Sequence, residues 1–193
     1  SGWSVSSAGD VNGDGIDDLI IGAYGADPDG NSAAGESYVV YGSDTRSASE
    51  LDLSDLNGTN GFQINGIDAY DFSGGSVSSA GDVNGDGIDD LIIGAYGASP
   101  DGNSQAGESY VVYGSDTRSE SELDLSDLNG TNGFRIDGID ADDFSGASVS
   151  SAGDVNGDGI DDLIVGARGA DSYAGESYVV YGSDTRSAAA LDL

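Results

Sequence analysis

The sequence predicts an all-β protein: a β-propeller, or a segment of one, built of four-stranded antiparallel blades. Three observations carry this. The stretch SAGDVNGDGIDDLIIGA at 7–23 returns unchanged at 79–95, and again as SAGDVNGDGIDDLIVGA at 151–167, a spacing of 72 residues each time. Each copy leads into short apolar runs of strand length, bounded by Gly, Asp, Asn and Ser. Those runs are apolar on both faces, so each needs a neighbour on either side.

The elements of one unit follow in order. The first strand, GGSVSSAG at 74–81, is made of small residues and suits a crowded position near an axis. The second is DLIIGAYG at 18–25 and 90–97, with DLIVGARG at 162–169. The third is ESYVVYG at 36–42, 108–114 and 176–182, and the fourth is GFQING at 61–66 and GFRIDG at 133–138. In the third strand Tyr38 and Val40 face one side, Val39 and Tyr41 the other, and the run Leu19-Ile20-Ile21 is likewise apolar on both. Sheets stacked face to face supply that cover, which is propeller architecture. The alternative, a linear β-solenoid, uses much shorter rungs. The linker SELDLSDLNGTNG at 49–61 and 121–133 has room for a brief helical turn.

The chain thus divides into residues 1–53, strands one to three of the first blade repeat; 54–125, an outer strand and then strands one to three of the second; and 126–193, an outer strand and then strands one to three of the third. Residues 1–53 and 73–125 differ only at Trp3/Gly75, Asp27/Ser99, Ala33/Gln105 and Ala48/Glu120. Trp3 is read as an interblade filler, a residue at a subunit seam or a core aromatic. The third copy has Arg168 where the second has Tyr96, and loses four residues between its second and third strands. Three blades are fewer than the four to eight of a closed propeller. Bare blade faces are association surfaces. Either two chains close a six-bladed ring as a homodimer, the favoured reading, or the chain is a segment of a larger propeller.

Charge limits the chemistry. There are 36 acidic residues against five arginines, with a formal charge of -31, and there is no His, Cys or Met. Such a chain repels nucleic acid and anionic membrane surfaces. It cannot build an imidazole–thiolate zinc site, a cysteine nucleophile or a disulfide. With no apolar stretch near 18 residues, direct membrane insertion is not expected. Carboxylate and carbonyl oxygens remain, and these suit hard cations.

Their spacing points the same way. Counting from Asp10, positions 1, 3 and 5 are Asp10, Asn12 and Asp14; position 6 is Gly15; position 7, Ile16, offers a carbonyl; position 9 is Asp18. The equivalents are Asp82, Asn84, Asp86, Ile88 and Asp90, then Asp154, Asn156, Asp158, Ile160 and Asp162. Alternate oxygens can point inward while the chain curls around one centre, which is the spacing of a calcium loop. Position 12, a bidentate Glu in a helix-flanked calcium hand, is here Ile21, Ile93 or Val165. The loop is therefore expected to join two strands, with Asp18 as the candidate bidentate donor. Three calcium ions per chain are expected, with folding linked to their binding.

The ordered pieces FSG at 72–74 and 144–146, the aspartate loop, and GAYG at 22–25 and 94–97 with GARG at 166–169 resemble the FG-GAP repeats of the integrin alpha-subunit propeller and of related secreted bacterial proteins. The resemblance implies blades of four antiparallel strands, with calcium in the loop between the first and second. It implies Asp10, Asn12, Asp14, the Ile16 carbonyl, Asp18 and their repeat equivalents as ligands. In integrins the ring usually has seven blades and presents a binding surface to partners.

A non-catalytic, structural or adhesive calcium-bound scaffold, extracellular or on the cell surface, is the favoured function. The alternatives are a protein- or glycan-binding module using the propeller loops, for which exposed loop aromatics such as Tyr173 would speak, and a fragment of a secreted hydrolase. No catalytic residue is assigned. In Ser-Asp-Thr-Arg at 43–46, 115–118 and 183–186, Asp44, Asp116 and Asp184 are expected to pair with the adjacent arginines.

Overall fold

Three antiparallel sheets, one per unit, make up the computed structural model, which describes residues 1–45 and 50–193. The first sheet pairs β1 (Ser4–Gly9), β2 (Asp18–Ala23), β3 (Glu36–Val40) and β4 (Gly61–Asn65) in that order. The second pairs β5 (Ser76–Gly81), β6 (Asp90–Ala95), β7 (Glu108–Val112) and β9 (Gly133–Asp137). The third holds β10 (Ser145–Gly153), β11 (Asp162–Ala167) and β12 (Glu176–Val180). The small-residue strands β1, β5 and β10 pack against one another, as expected of inner strands.

Stacking of the blades explains the two-sided apolar pattern. Ile92 and Ile93 are adjacent, pair with Val111 and Tyr110 across β6–β7, and point to opposite faces. Ile93 joins Ile20, Val39 and Leu91 in the core between the first and second blades. Ile92 joins Val111, Phe134 and Val165 in the core between the second and third. β6 and β7 are buried at every position, while in the end blades β2 exposes Leu19 and β12 exposes Glu176, Ser177 and Val179. At about 25 cal/mol per Å² of apolar surface removed from water, this stacking is the main stabilising term.

The linkers contain the expected helical turns, Leu53–Asp55 and Leu125–Asp127, as 3₁₀ helices. Each is capped by the preceding aspartate: Ser54 N donates to Asp52 at 3.0 Å and Ser126 N to Asp124 at 2.8 Å. The same linkers hold an element the sequence reading did not separate. β8 (Glu122–Asp124) pairs parallel with β4, and β13 (Ala190–Asp192) pairs parallel with β9. Each complete blade thus has five strands, the fifth lent by the following repeat. The reason is edge protection: an outer strand with a free row of N–H and C=O groups invites uncontrolled pairing.

The arginines also depart from expectation. Arg118 lies 4.8 Å over the Phe62 ring and donates to Tyr113 O at 3.1 Å. Arg186 lies 4.5 Å over Phe134 and donates to Tyr181 O at 2.8 Å. Neither forms an ion pair with Asp116 or Asp184 among the described residues; the guanidinium gains more over an aromatic face of the preceding blade than from an exposed carboxylate. Arg46 lies outside the described residues. Trp3 is not a core residue: it stands exposed on the outer face of the first blade, edge-on to Tyr24 at 4.8 Å.

One ion-pair cluster is part of the second blade. Arg135 on β9 pairs with Asp137 through both Nε and Nη2, the latter at 2.8 Å, and reaches Glu108 at 3.8 Å. The first blade has Gln63 and Asn65 at these places, joined at 2.6 Å. Arg135→Gln alone is expected to cost about 2 kcal/mol, because it leaves the buried Asp137 carboxylate uncompensated. The double variant Arg135→Gln/Asp137→Asn, which rewrites this edge as that of the first blade, is expected to recover most of the loss. Urea denaturation of the two variants decides; equal stabilities would show the pair to be energetically idle.

Asp71, in the crossing from β4 to β5, gives a pH dependence. Burial pushes its carboxyl up to about 7, with the Glu108 and Asp68 charges adding and the Asp68 amide opposing. The unfolded chain ionises this group near pH 4. Stability from Asp71 is therefore lost as pH rises from about 4 to 7. Asp71→Asn should be more stable than the parent at pH 8 and no different at pH 4. A benefit of the same size at both pH values would refute this.

The aspartate loops, a candidate metal site

Each loop joins the first and second strands of its blade. A register slip between Ser7 and Gly9, repeated at Ser79/Gly81 and Ser151/Gly153, swings the chain out of the sheet and into the loop. Gly15, Gly87 and Gly159 take φ of 87°, 90° and 91°, which other residues rarely adopt, and so make the sharp turn at position 6.

Within the first loop the side-chain oxygens fold back on the backbone. Asp14 N donates to Asp10 Oδ1 at 3.0 Å and to Asn12 Oδ1 at 2.9 Å, so these two oxygens converge on one N–H. Gly15 N donates to Asp10 Oδ2 at 2.8 Å, and Ile16 N to Asp14 Oδ1 at 2.9 Å. The second loop repeats the set around Asp82, Asn84 and Asp86, and the third around Asp154, Asn156 and Asp158. The amide of Gly159, first among these bonds, holds the exposed Asp154 carboxyl below its ordinary range.

Asp18, Asp90 and Asp162 sit beneath the loops, fully buried. Asp18 Oδ2 accepts from Val11 N at 3.0 Å and Oδ1 from Gly42 N at 2.7 Å, tying the loop to the end of the third strand. Asp90 holds Val83 N and Gly114 N in the same way, and Asp162 holds Val155 N and Gly182 N. Burial pushes Asp18 up to about 6 and Asp90 up to about 8, against the pull of the two amides.

The loops therefore bring Asp10, Asn12 and Asp14 to one curl and hold Asp18 below it, in all three copies. Among the described residues no three acidic side chains lie close enough together to hold a metal ion; each carboxylate is turned toward loop amides instead. The donor chemistry does fit a hard cation, being all oxygen. Each carboxylate oxygen that accepts one amide keeps a further lone pair.

Sequence reasoning missed the residue at position 8. Asp89 Oδ2 accepts from Asp10 N at 2.9 Å, and Asp89 N donates to Asp10 O at 3.2 Å, across the seam between blades. Asp161 does the same with Asp82, at 3.2 and 3.1 Å. The approach is close: a Cβ at Gly9 or Gly81 would meet this carboxylate at 2.2 or 2.1 Å. The signal was available, since an aspartate recurs at position 8 in every copy without fitting the ligand alternation.

The FG-GAP repeat profile matches residues 1–40, 73–112 and 145–180, and the chain belongs to that family of propeller repeats. It is 34% identical over 194 residues to integrin alpha pat-2 of Caenorhabditis elegans, covering 94% of this chain and 14% of that protein. It is 33% identical over 176 residues to integrin alpha-5 of Xenopus laevis, covering 89% and 15%. It is 32% identical over 169 residues to phosphatidylinositol-glycan-specific phospholipase D of Bos taurus, covering 86% and 18%. The chain thus spans less than a fifth of these relatives. Relatives named as an integrin subunit and as a phospholipase do not decide between a binding and a catalytic role. No helix among the described residues is long and apolar enough to cross a membrane.

The clamp beneath the loop can be weighed against the loop itself. In excess chelator, Asp90→Ala should cost roughly 2 to 4 kcal/mol, since it leaves two N–H groups at a buried site unpaired. Asp86→Ala, which loses two exposed hydrogen bonds, from Ile88 N at 2.9 Å and from Asn84 Nδ2 at 3.0 Å, should cost only about 1 kcal/mol. Thermal unfolding of both variants checks the order; a reversed order would mean that the buried carboxylate is not what anchors the loop.

Proposed function

We propose that the chain is a calcium-stabilised, non-catalytic propeller scaffold with a structural or adhesive role outside the cell or at its surface. The observation that carries this is one oxygen-only loop, built three times on the same hydrogen-bond frame, whose first residue is in the first two copies also the contact to the next blade. Calcium would be held by the side chains of Asp10, Asn12, Asp14 and Asp18 and the Ile16 carbonyl, and by their equivalents in the other two loops. The ion would supply positive charge to a strongly acidic chain, and would stiffen the loop at the point where Asp89 or Asp161 grips it. Millimolar calcium outside cells fills sites of modest affinity.

Calorimetric titration of chelator-stripped protein is expected to show three calcium ions per chain. Asp86→Ala should remove one of them. Calcium at about 1,000 times its dissociation constant should stabilise the fold by roughly 4 kcal/mol per site, and magnesium by much less. Absence of both binding heat and a shift in Tm would sink the reading.

A second reading, a partner-binding module, is favoured by exposed aromatics at the end of the blades away from the aspartate loops. Trp3 is 68%, Tyr70 62% and Tyr173 74% exposed there. Retained hydrolytic activity dependent on an acid outside the loops would instead favour the hydrolase fragment.

A further inference from the structure

The sequence holds eight Asn-Gly pairs, beginning at Asn12, Asn57, Asn60, Asn65, Asn84, Asn129, Asn132 and Asn156. Such a pair carries a chemistry of its own. Glycine has no Cβ, so its amide nitrogen can swing onto Cγ of the preceding carboxamide. A nitrogen–Cγ bond forms, the amide gives up its proton, and the side-chain nitrogen leaves as ammonia. Water then opens the cyclic imide. Opening at Cγ leaves an aspartate; opening at the backbone carbonyl leaves an isoaspartate, with one extra methylene in the main chain. In sum one water is consumed and one ammonia released. The step needs a glycine amide that solvent can reach and a place for its proton to go.

The fold sorts the eight pairs on both counts. In the linkers and strands, Gly58, Gly61, Gly66, Gly130 and Gly133 are all buried. Gly58 N donates to Gly61 O at 2.9 Å, Gly130 N to Gly133 O at 2.8 Å, and Gly66 N to Gly35 O at 2.9 Å. A carbonyl holds such a proton but does not take it. Gly61 and Gly133 open β4 and β9, and the carboxamides of Asn60 and Asn132 are pinned at both ends, each Oδ1 accepting an amide at 3.0 Å and each Nδ2 donating to a carbonyl at 3.1 Å.

The aspartate loops are the reverse. Gly13, Gly85 and Gly157 are exposed. The first two stay exposed with the following blade packed beside them, where a Cβ would lie 3.5 Å from Asp116 or Asp184. Gly85 N donates to Asp82 Oδ1 at 2.7 Å and Gly157 N to Asp154 Oδ1 at 2.6 Å. Here the acceptor is a carboxylate, a group that can take the proton. Gly13 N has no acceptor among the described residues and is open to water. The carboxamide under attack is polarised in each loop by an amide donating to its Oδ1: Asp14 N to Asn12 at 2.9 Å, Asp86 N to Asn84 and Asp158 N to Asn156 at 2.8 Å. Asn84 Nδ2 also rests on Asp86, at 3.0 Å, a surface contact that a side-chain rotation releases.

We propose that the position-3 asparagines of the loops, Asn12, Asn84 and Asn156, are deamidation sites that the folded chain converts with age, while the fold shields the other five pairs. The change falls on the frame of the loop. An aspartate adds one more carboxylate to a curl that already holds two. An isoaspartate lengthens the backbone between positions 3 and 4 and breaks the alternation of oxygens. The conversion does not depend on the calcium reading and is followed in chelator.

The test is peptide mapping by mass spectrometry of the full chain held at about pH 8 and about 37 °C, folded in chelator and unfolded in guanidinium chloride. Each conversion raises a peptide by one dalton, and enzymatic methylation marks the isoaspartate product. If chelator unfolds the chain, the folded arm is run at the lowest calcium that keeps its circular dichroism native. In denaturant all eight pairs should convert at similar rates. In the folded chain the three loop asparagines should stay within about tenfold of their unfolded rates, and the other five should slow at least about 100-fold, because each waits for the structure to open. Asn84→Gln, whose longer side chain cannot close the five-membered ring, should abolish conversion at that loop and leave Asn12 and Asn156 unchanged. Loop asparagines slowed as much as the linker ones overturn the proposal. So do linker asparagines that convert as fast as the loops in a chain of native circular dichroism.

Discussion

The second and third strands of every blade are apolar on both faces, and a strand of that kind is stable only between two neighbours. This constraint orders the rest of the molecule. It sets the blades face to face and divides the apolar residues of one strand between two cores, as with Ile92 and Ile93. It pushes the small residues of β1, β5 and β10 to the inner edge, where backbones crowd. It leaves the polar work to the blade ends, where the loops must both turn the chain and fix each blade against the next.

The aspartate loops do both with one chemical group. Asp18 and its equivalents bind each loop to its own blade through two backbone amides. Asp89 and Asp161 bind the preceding loop to the next blade. The side-chain oxygens at positions 1, 3 and 5, from two carboxylates and one carboxamide, fold back to accept the loop's own backbone amides. In the proposed calcium-bound form, metal affinity and seam stability would share the residue at position 1 of the first two loops, Asp10 and Asp82, which are the gripped groups.

Much of this was legible in the sequence, for reasons that can be named. The four main strands were visible because their apolar runs are bounded by Gly, Asp, Asn and Ser and recur at one spacing. The loop oxygens were visible because alternate Asp and Asn at fixed offsets are rare by chance, and three copies rarer still. The inner position of SVSSAG followed from side-chain size. What stayed hidden depends on contacts between repeats. The three residues of β8 or β13 are too few to show a period, and their partner lies in the preceding unit. The arginines were assigned to neighbouring aspartates because Phe62 and Phe134 lie more than fifty positions away in the chain. The position-8 aspartate falls outside the alternation of loop oxygens, and its partner lies in the preceding unit.

The borrowed fifth strand has a consequence for how such a chain changes length. Because β8 belongs to the second repeat by sequence and to the first blade by hydrogen bonding, no cut between units falls between blades. A duplication or loss of any whole 72-residue segment, wherever its ends lie, rejoins the chain with every linker still reaching back by one sheet. Genetic events that shift such an array by one unit keep the carboxylate grip that each remaining seam uses, as Asp89 on Asp10 or Asp161 on Asp82. That is the condition under which near-identical copies can be gained and lost without a new interface having to evolve.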